Sequence, residues 1–194
     1  MNICIYGASS NAILPVYLER MEALGEKLAK RGHGLVFGGG ANGVMGAAAR
    51  GFAVGGGCIK GVAPSFFNVD GVLFPDCTEF VYTTTMRERK QCMEDSADAF
   101  IVGPGGIGTF EEFFEILTLK QLGRHAKPIV IYNINHYYDS MLDMLKKSAD
   151  EEFMREMTLD LYKVFDDDEQ LIDCIENSKE ELVDVVKMKI FNKQ

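Results

Sequence analysis

The chain has 194 residues, 47% of them hydrophobic, which is enough for one substantial core but too short for two comfortable domains. Its 29 acidic residues outnumber its 20 basic residues, and the formal net charge of −9 has the wrong sign for non-specific binding to nucleic acid or to an anionic membrane. We therefore expect a single domain over residues 1–194 that recognises any phosphate through a local feature.

Short apolar runs that stop at glycine alternate with longer segments of helical period. Strands are predicted at 2–7, 34–40, 58–64, 99–103, 128–133 and 162–166, and a further short apolar run lies at 80–82. Helices are predicted at 15–32, 43–56 and 86–96, after the glycines of 103–108, at 137–153, and after a solvated cap of aspartates at 166–168. This alternation predicts a doubly wound, Rossmann-like α/β fold whose ligand lies at the carboxyl ends of parallel strands.

Five cysteines are scattered along the chain, and none belongs to a C-x-x-C pair. An odd number of cysteines without paired spacing favours reduced thiols over a disulfide framework, which predicts a cytoplasmic protein. The first residues lack the basic and apolar regions of a secretion signal, and no run of about 18 apolar residues indicates a membrane span. We expect a soluble protein that does not contact a membrane.

Two glycine-rich segments, 38–43 and 103–108, match G-x-G-x-x-G after a predicted strand. Dinucleotide binding also requires an acidic residue about 20 positions further on, but Lys60 and Asn133 mark the corresponding regions. The second segment lacks the lysine of a P-loop, which argues against nucleoside triphosphate hydrolysis. A glycine loop before a helix still offers free N–H groups, so the pattern favours a monophosphate as ligand.

Glu112 has two local interpretations. Thr109 and Glu112 have the spacing of a capping box, in which the threonine caps a helix and the glutamate reaches back to its N–H. Thr85 and Glu88 form a second such box, which we interpret as purely structural. If Thr109 is the cap, Glu112 has a structural role alone.

Three cations, Arg87, Arg89 and Lys90, lie in the first turns of a predicted helix, where the helix dipole disfavours positive charge. Either they bind an anionic ligand, or they are solvated and pair with Glu88 and Glu94. No metal-ligand spacing is found among the histidines, so no metal site is expected.

Three motifs together resemble one family. The segments GGGANGVMG at 38–46, MRERK at 86–90 and PGGIGTFEE at 104–112 are similar to those of the LOG ("Lonely Guy") family. Its members are cytokinin riboside 5′-monophosphate phosphoribohydrolases, historically mislabelled as lysine decarboxylases. The likeness covers about the first three quarters of the chain.

The resemblance implies that Arg89 and Glu112 are the catalytic pair. It also implies that the nucleotide is contacted by Lys90, Gly106, Gly108 and Thr109. From the glycine loops and the strand ends, further substrate-binding candidates are Ser9, Gly39, Gly40, Met86 and Gly105. The dipole of the helix that follows the second loop is expected to hold Glu112 ionised.

The activity implied by the resemblance is cleavage of the N-glycosidic bond of AMP or an N6-substituted AMP. The products would be a free base and ribose 5-phosphate, with no metal or organic cofactor. The resemblance also implies a homodimer with its sites near the interface. The alternative is a nucleotide-binding or carrier protein that uses the same pocket without turnover.

Overall fold

The computed structural model describes residues 1–179 and 182–184. The seven strands are β1 (Asn2–Tyr6), β2 (Gly34–Phe37), β3 (Ile59–Pro64), β4 (Glu79–Thr83), β5 (Ala99–Val102), β6 (Ile129–Tyr132) and β7 (Lys163–Phe165). The six α-helices are α1 (Pro15–Lys30), α2 (Gly43–Val54), α3 (Met86–Ser96), α4 (Ile107–Gln121), α5 (Asp139–Asp150) and α6 (Asp168–Glu176). Every strand and helix predicted from the periodicity is present, with ends that differ by a few residues.

The strands form one sheet in the order β4-β3-β2-β1-β5-β6-β7, and every neighbouring pair is parallel. The strand order reverses at β1, so the two halves of the sheet wind outwards from its centre. This confirms the doubly wound α/β prediction. In such a sheet the crevice at the carboxyl ends of the central strands is the usual ligand site.

Two apolar cores cover the two faces of the sheet, as the alternation in β1 requires. Ile3 and Ile5 pack with α1, α2 and α6 on one face. Cys4 and Tyr6 pack with α3, α4 and α5 on the other. The helices that carry the predicted catalytic pair therefore lie side by side on the second face.

The loops that follow β1, β2 and β5 meet at the carboxyl edge of the sheet. The Ala8 N–H donates to the Pro104 carbonyl at 3.0 Å, and the Met45 N–H donates to the Ala8 carbonyl at 3.3 Å. Asn11 links the first two loops, because its Oδ1 accepts from the Gly43 N–H at 2.7 Å. These hydrogen bonds hold the three loops together at the edge where the ligand is expected.

The aspartates at 166–168 have two different roles. Asp167 caps α6 by accepting from the Gln170 N–H, as the sequence predicts. Asp168 is buried, accepts from the Tyr132 hydroxyl, and pairs with Lys27 at 3.2 Å. The expectation of a solvated cluster is therefore wrong for Asp168, whose charge joins α6 to α1.

All five cysteines are unpaired thiols. Among the described residues, no helix combines the length and apolar character needed to cross a membrane.

Candidate active site

A buried ion pair joins α3 to α4 near the carboxyl edge of the sheet. The Arg89 Nη1 donates to Glu112 Oε1 at 2.9 Å, and the Arg89 Nε donates to the Val62 carbonyl of β3 at 3.2 Å. Arg89 is 7% exposed and Glu112 is 8% exposed. A buried charge is costly unless it is paired, so each of these groups depends on the other. The structure thus brings together the two residues that the family resemblance implies to be a catalytic pair.

Gly38, the first glycine of the loop after β2, gives the Arg89 guanidinium its space. A Cβ at Gly38 would overlap Nη2 of Arg89. The loop glycine therefore has a steric role in the site. It lets a side chain from α3 cross the end of the sheet and reach α4.

We predict that Gly38→Ala displaces the Arg89 guanidinium and lowers AMP turnover by about tenfold or more, since a small misplacement of a catalytic group has effects of this size. The overlapping atom is the end of a flexible side chain, so the melting temperature should change little. Steady-state kinetics and thermal denaturation of the same preparation test both statements. Unchanged kinetics would mean that the position of Arg89 does not matter for turnover.

Helix α4 begins earlier than the capping box implies. Its N-cap is Gly106, and no side chain caps it. Thr109 is the third residue of the helix and is buried. The interpretation of Thr109 as the cap, with Glu112 reaching back to it, is therefore wrong. Glu112 instead extends sideways to α3.

The start of α4 is open to a ligand. The first N–H groups of a helix lack carbonyl partners within it, and the first turn of α4 contains no acidic residue. Gly106 and Gly108 have no heavy atom within 4 Å of a hypothetical Cβ, and Ile107 between them is 81% exposed. These glycines therefore leave room beside the N–H groups, as an anion would require.

Two of the three cations of α3, Arg89 and Lys90, form ion pairs with carboxylates of α4. Lys90 forms ion pairs with Glu111 and, at 2.6 Å, with Glu115. Glu88 closes the predicted capping box with Thr85.

Burial raises the pKa of the Glu112 carboxyl above its usual value, and the charge of Arg89 acts in the opposite direction. The expectation that the helix dipole controls this ionisation is therefore replaced by a balance between burial and the Arg89 charge. Removing Arg89 would leave burial unopposed. The ionised state of Glu112 thus depends on its partner in α3.

The carboxyl of Glu94, on α3, is expected to make the stability of the fold depend on pH. Burial and the nearby Glu115 and Asp95 raise the pKa of Glu94 to about 7. A carboxyl whose pKa is raised on folding stabilises the fold fully below its unfolded value near 4.5 and loses that contribution as the pH rises through about 7. Glu94→Gln should therefore raise the melting temperature by about 2–4 °C at pH 8 and leave it unchanged at pH 4. A thermal denaturation series over pH tests this, and equal gains at both pH values would contradict it.

The other predicted residues lie at the same edge of the sheet. Ser9 is exposed in the loop after β1, and Met86 is the exposed first residue of α3. Gly39 has a φ of 76°, which favours glycine, and Gly40 pairs with Leu73 in an isolated bridge. Gly105 packs against the Thr109 side chain.

Two tyrosines after β6 also hold the second glycine loop. The Tyr137 hydroxyl donates to the Gly105 carbonyl at 2.7 Å, and the Tyr138 hydroxyl donates to the Gly103 carbonyl at 2.7 Å. From the sequence, these tyrosines are expected only to begin a helix at 137. Their position after a strand that neighbours β5 is the one signal that could have indicated these contacts.

Comparison with known proteins identifies the family. The family described as "Possible lysine decarboxylase" matches residues 45–175, which include Arg89 and Glu112. A cytokinin riboside 5′-monophosphate phosphoribohydrolase of Arabidopsis thaliana is 37% identical over 152 residues, covering 78% of this chain and 71% of the relative. A second such protein from the same plant is 38% identical over 155 residues, covering 80% and 71%. The chain belongs to the LOG family.

Solved structures share the fold of this LOG family member at low sequence identity. The molybdenum cofactor carrier protein of Chlamydomonas reinhardtii has a TM-score of 0.68 and 21% identity, over 90% of this chain and 95% of that one. The molybdenum cofactor binding protein of Rippkaea orientalis has a TM-score of 0.67 and 20% identity, over 90% and 93%. These similarities concern the architecture alone.

Proposed function

We propose that the protein hydrolyses the N-glycosidic bond of a nucleoside 5′-monophosphate, AMP or an N6-substituted AMP, to the free base and ribose 5-phosphate. The observation that carries the proposal is the buried Arg89–Glu112 pair beside the uncapped start of α4, in a chain of the LOG family. The relatives that match are named for this reaction on cytokinin riboside 5′-monophosphates.

The 5′-phosphate binds the start of α4. The free N–H groups of the first turn and the positive end of the helix dipole attract an anion in a protein whose net charge would repel it. Gly106, Gly108 and Thr109 supply these N–H groups. Phosphate at this end of α4 places the attached ribose close to the Glu112 turn of the same helix.

The ionised Glu112 carboxylate stabilises the transition state. Cleavage of the bond between C1′ and the base develops positive charge on the ribose, and a fixed carboxylate in a site of low dielectric favours that charge. The bonding electron pair leaves with the base, which takes up a proton, while the oxygen of a water molecule bonds to C1′ and that water gives up one proton. No net proton is gained or lost. Glu112 also orients that water, and Arg89 holds Glu112 ionised and in place.

Incubation with AMP and with N6-isopentenyl-AMP, followed by chromatography of the released base, tests the proposal. Release of adenine or of its N6-substituted form, with one ribose 5-phosphate per base, is the expected result. The alternative is a nucleotide-binding or carrier protein. Tight binding of both nucleotides without release of any base would favour that alternative and overturn the proposed hydrolysis.

We also propose that the protein is a cytoplasmic homodimer with its sites near the interface. Exposed apolar side chains beside the site support a second copy there: Ile107, Phe114 and Met86. The five unpaired thiols support a reducing compartment. Light scattering at micromolar concentration should give twice the chain mass of 21.6 kDa. A strict monomer under those conditions would contradict the dimer.

A further inference from the structure

The turn after β6, which leads into Tyr137, has an unusual backbone conformation. Asn135 and His136 both have positive φ values, 53° and 58°, in the left-handed region that non-glycine residues seldom occupy. Backbone strain of this kind persists only where the surroundings hold it, and it concentrates at functional sites. Here Asn133 holds the turn, because its Oδ1 accepts from the Tyr138 N–H at 2.7 Å.

The Tyr137 ring is fixed from two sides. Tyr17 of α1 packs edge-on against it with ring centroids 5.8 Å apart, and Tyr138 does so at 5.0 Å. The hydroxyl then donates to the Gly105 carbonyl at 2.7 Å. Tyr137 is 41% exposed, and these ring contacts and the hydrogen bond together orient its hydroxyl toward the glycine loop.

The hydrogen bond from Tyr137 to the Gly105 carbonyl also sets the direction of the Gly106 N–H. In a trans peptide the carbonyl of one residue and the N–H of the next point in opposite directions. Because the Gly105 carbonyl points to Tyr137, the Gly106 N–H points away from Tyr137, and Gly106 is exposed there. The hydrogen bond from Tyr138 to the Gly103 carbonyl does not orient an N–H group in this way, because the next residue, Pro104, has no N–H.

We propose that Tyr137 is a positioning residue for phosphate: its hydroxyl fixes the Gly105–Gly106 peptide so that the Gly106 N–H joins the first N–H groups of α4 around one anion. This inference rests on the proposed function for the identity of the substrate. Tyr137 does not touch the reacting atoms. Its effect falls on phosphate affinity and not on the chemical step.

Titration with inorganic phosphate tests the proposal without any turnover. In protein labelled with ¹⁵N-glycine, phosphate should shift the Gly106 amide signal of the wild type. In Tyr137→Phe, which keeps the ring, the dissociation constant for phosphate should rise about five- to tenfold, as expected for one misaligned charge-assisted hydrogen bond. The KM for AMP should rise by the same factor, while kcat changes by less than about twofold.

Tyr132→Phe is the matched control, because it removes a buried tyrosine hydroxyl that donates to Asp168 and does not contact the second glycine loop. It should lower the melting temperature and leave the phosphate affinity unchanged. Equal loss of affinity in both variants, wild-type affinity in Tyr137→Phe, or a wild-type Gly106 signal that phosphate does not shift would each overturn the inference. Phosphate binding of the expected kind without AMP hydrolysis would overturn the proposed function alone.

Discussion

Glu112→Gln is expected to lower AMP turnover by about a hundredfold or more, with little change in nucleotide affinity. The substitution keeps the shape of the side chain but removes the charge that stabilises an oxocarbenium-like transition state, and such interactions are typically worth a factor of this size. Gln retains an acceptor for Arg89, so the free energy of unfolding should fall by about 1–3 kcal/mol. Single-turnover kinetics and urea denaturation measure the two effects.

Glu111→Gln is the matched control for this prediction. Glu111 precedes Glu112 on α4, and its more exposed carboxylate pairs with Lys90. Removing the same charge there should change turnover by less than about threefold, because the Glu111 carboxylate is half exposed and Lys90 keeps its second ion pair with Glu115. Hydrolysis close to the wild-type rate in Glu112→Gln would refute the catalytic assignment.

Arg89→Ala is expected to abolish most activity and also to destabilise the fold. It leaves the Glu112 carboxylate buried without its partner, which typically costs about 3–5 kcal/mol of the 5–15 kcal/mol that stabilises a domain. Because Arg89 lowers the pKa of Glu112 against the effect of burial, its loss should raise that pKa further. The carboxyl is then protonated over more of the pH range, and the remaining activity should rise with pH more steeply than in the wild type. A pH profile of kcat measures this.

The double variant Arg89→Met with Glu112→Leu separates stability from catalysis. Replacing both buried charges with apolar groups of similar size is often neutral or stabilising, so most of the lost unfolding free energy should return. Activity should not return. A double variant as unstable as Arg89→Ala would show that contacts other than the ion pair, such as the hydrogen bond to Val62, dominate the cost.

The local sequence pattern was sufficient to predict the strands and helices of this fold. Each strand is a short apolar run bounded by glycine or polar residues, and each helix is a longer segment whose apolar residues recur with the helical period. These patterns extend over only about ten residues each, and their alternation predicts the parallel, doubly wound sheet. The capping box at Thr85 was correct for the same reason, since all its hydrogen bonds lie within one turn. The box at Thr109 was wrong, because Gly106, whose backbone is extended, is the N-cap and α4 already begins at Ile107.

By itself, the sequence determined the order of strands and helices, the glycine loops at the strand ends and the residue types of the site. Tertiary structure alone decided which charges meet: Glu112 pairs with Arg89 across 23 positions, and Tyr137 reaches Gly105 across 32. Burial likewise came from packing, which turned Asp168 from an expected surface cap into an internal ion-pair partner. The physical reason is the distance along the chain over which each effect acts. Backbone preference acts within a turn or a strand, whereas pairing, burial and the pKa of a carboxyl arise only when distant elements pack together.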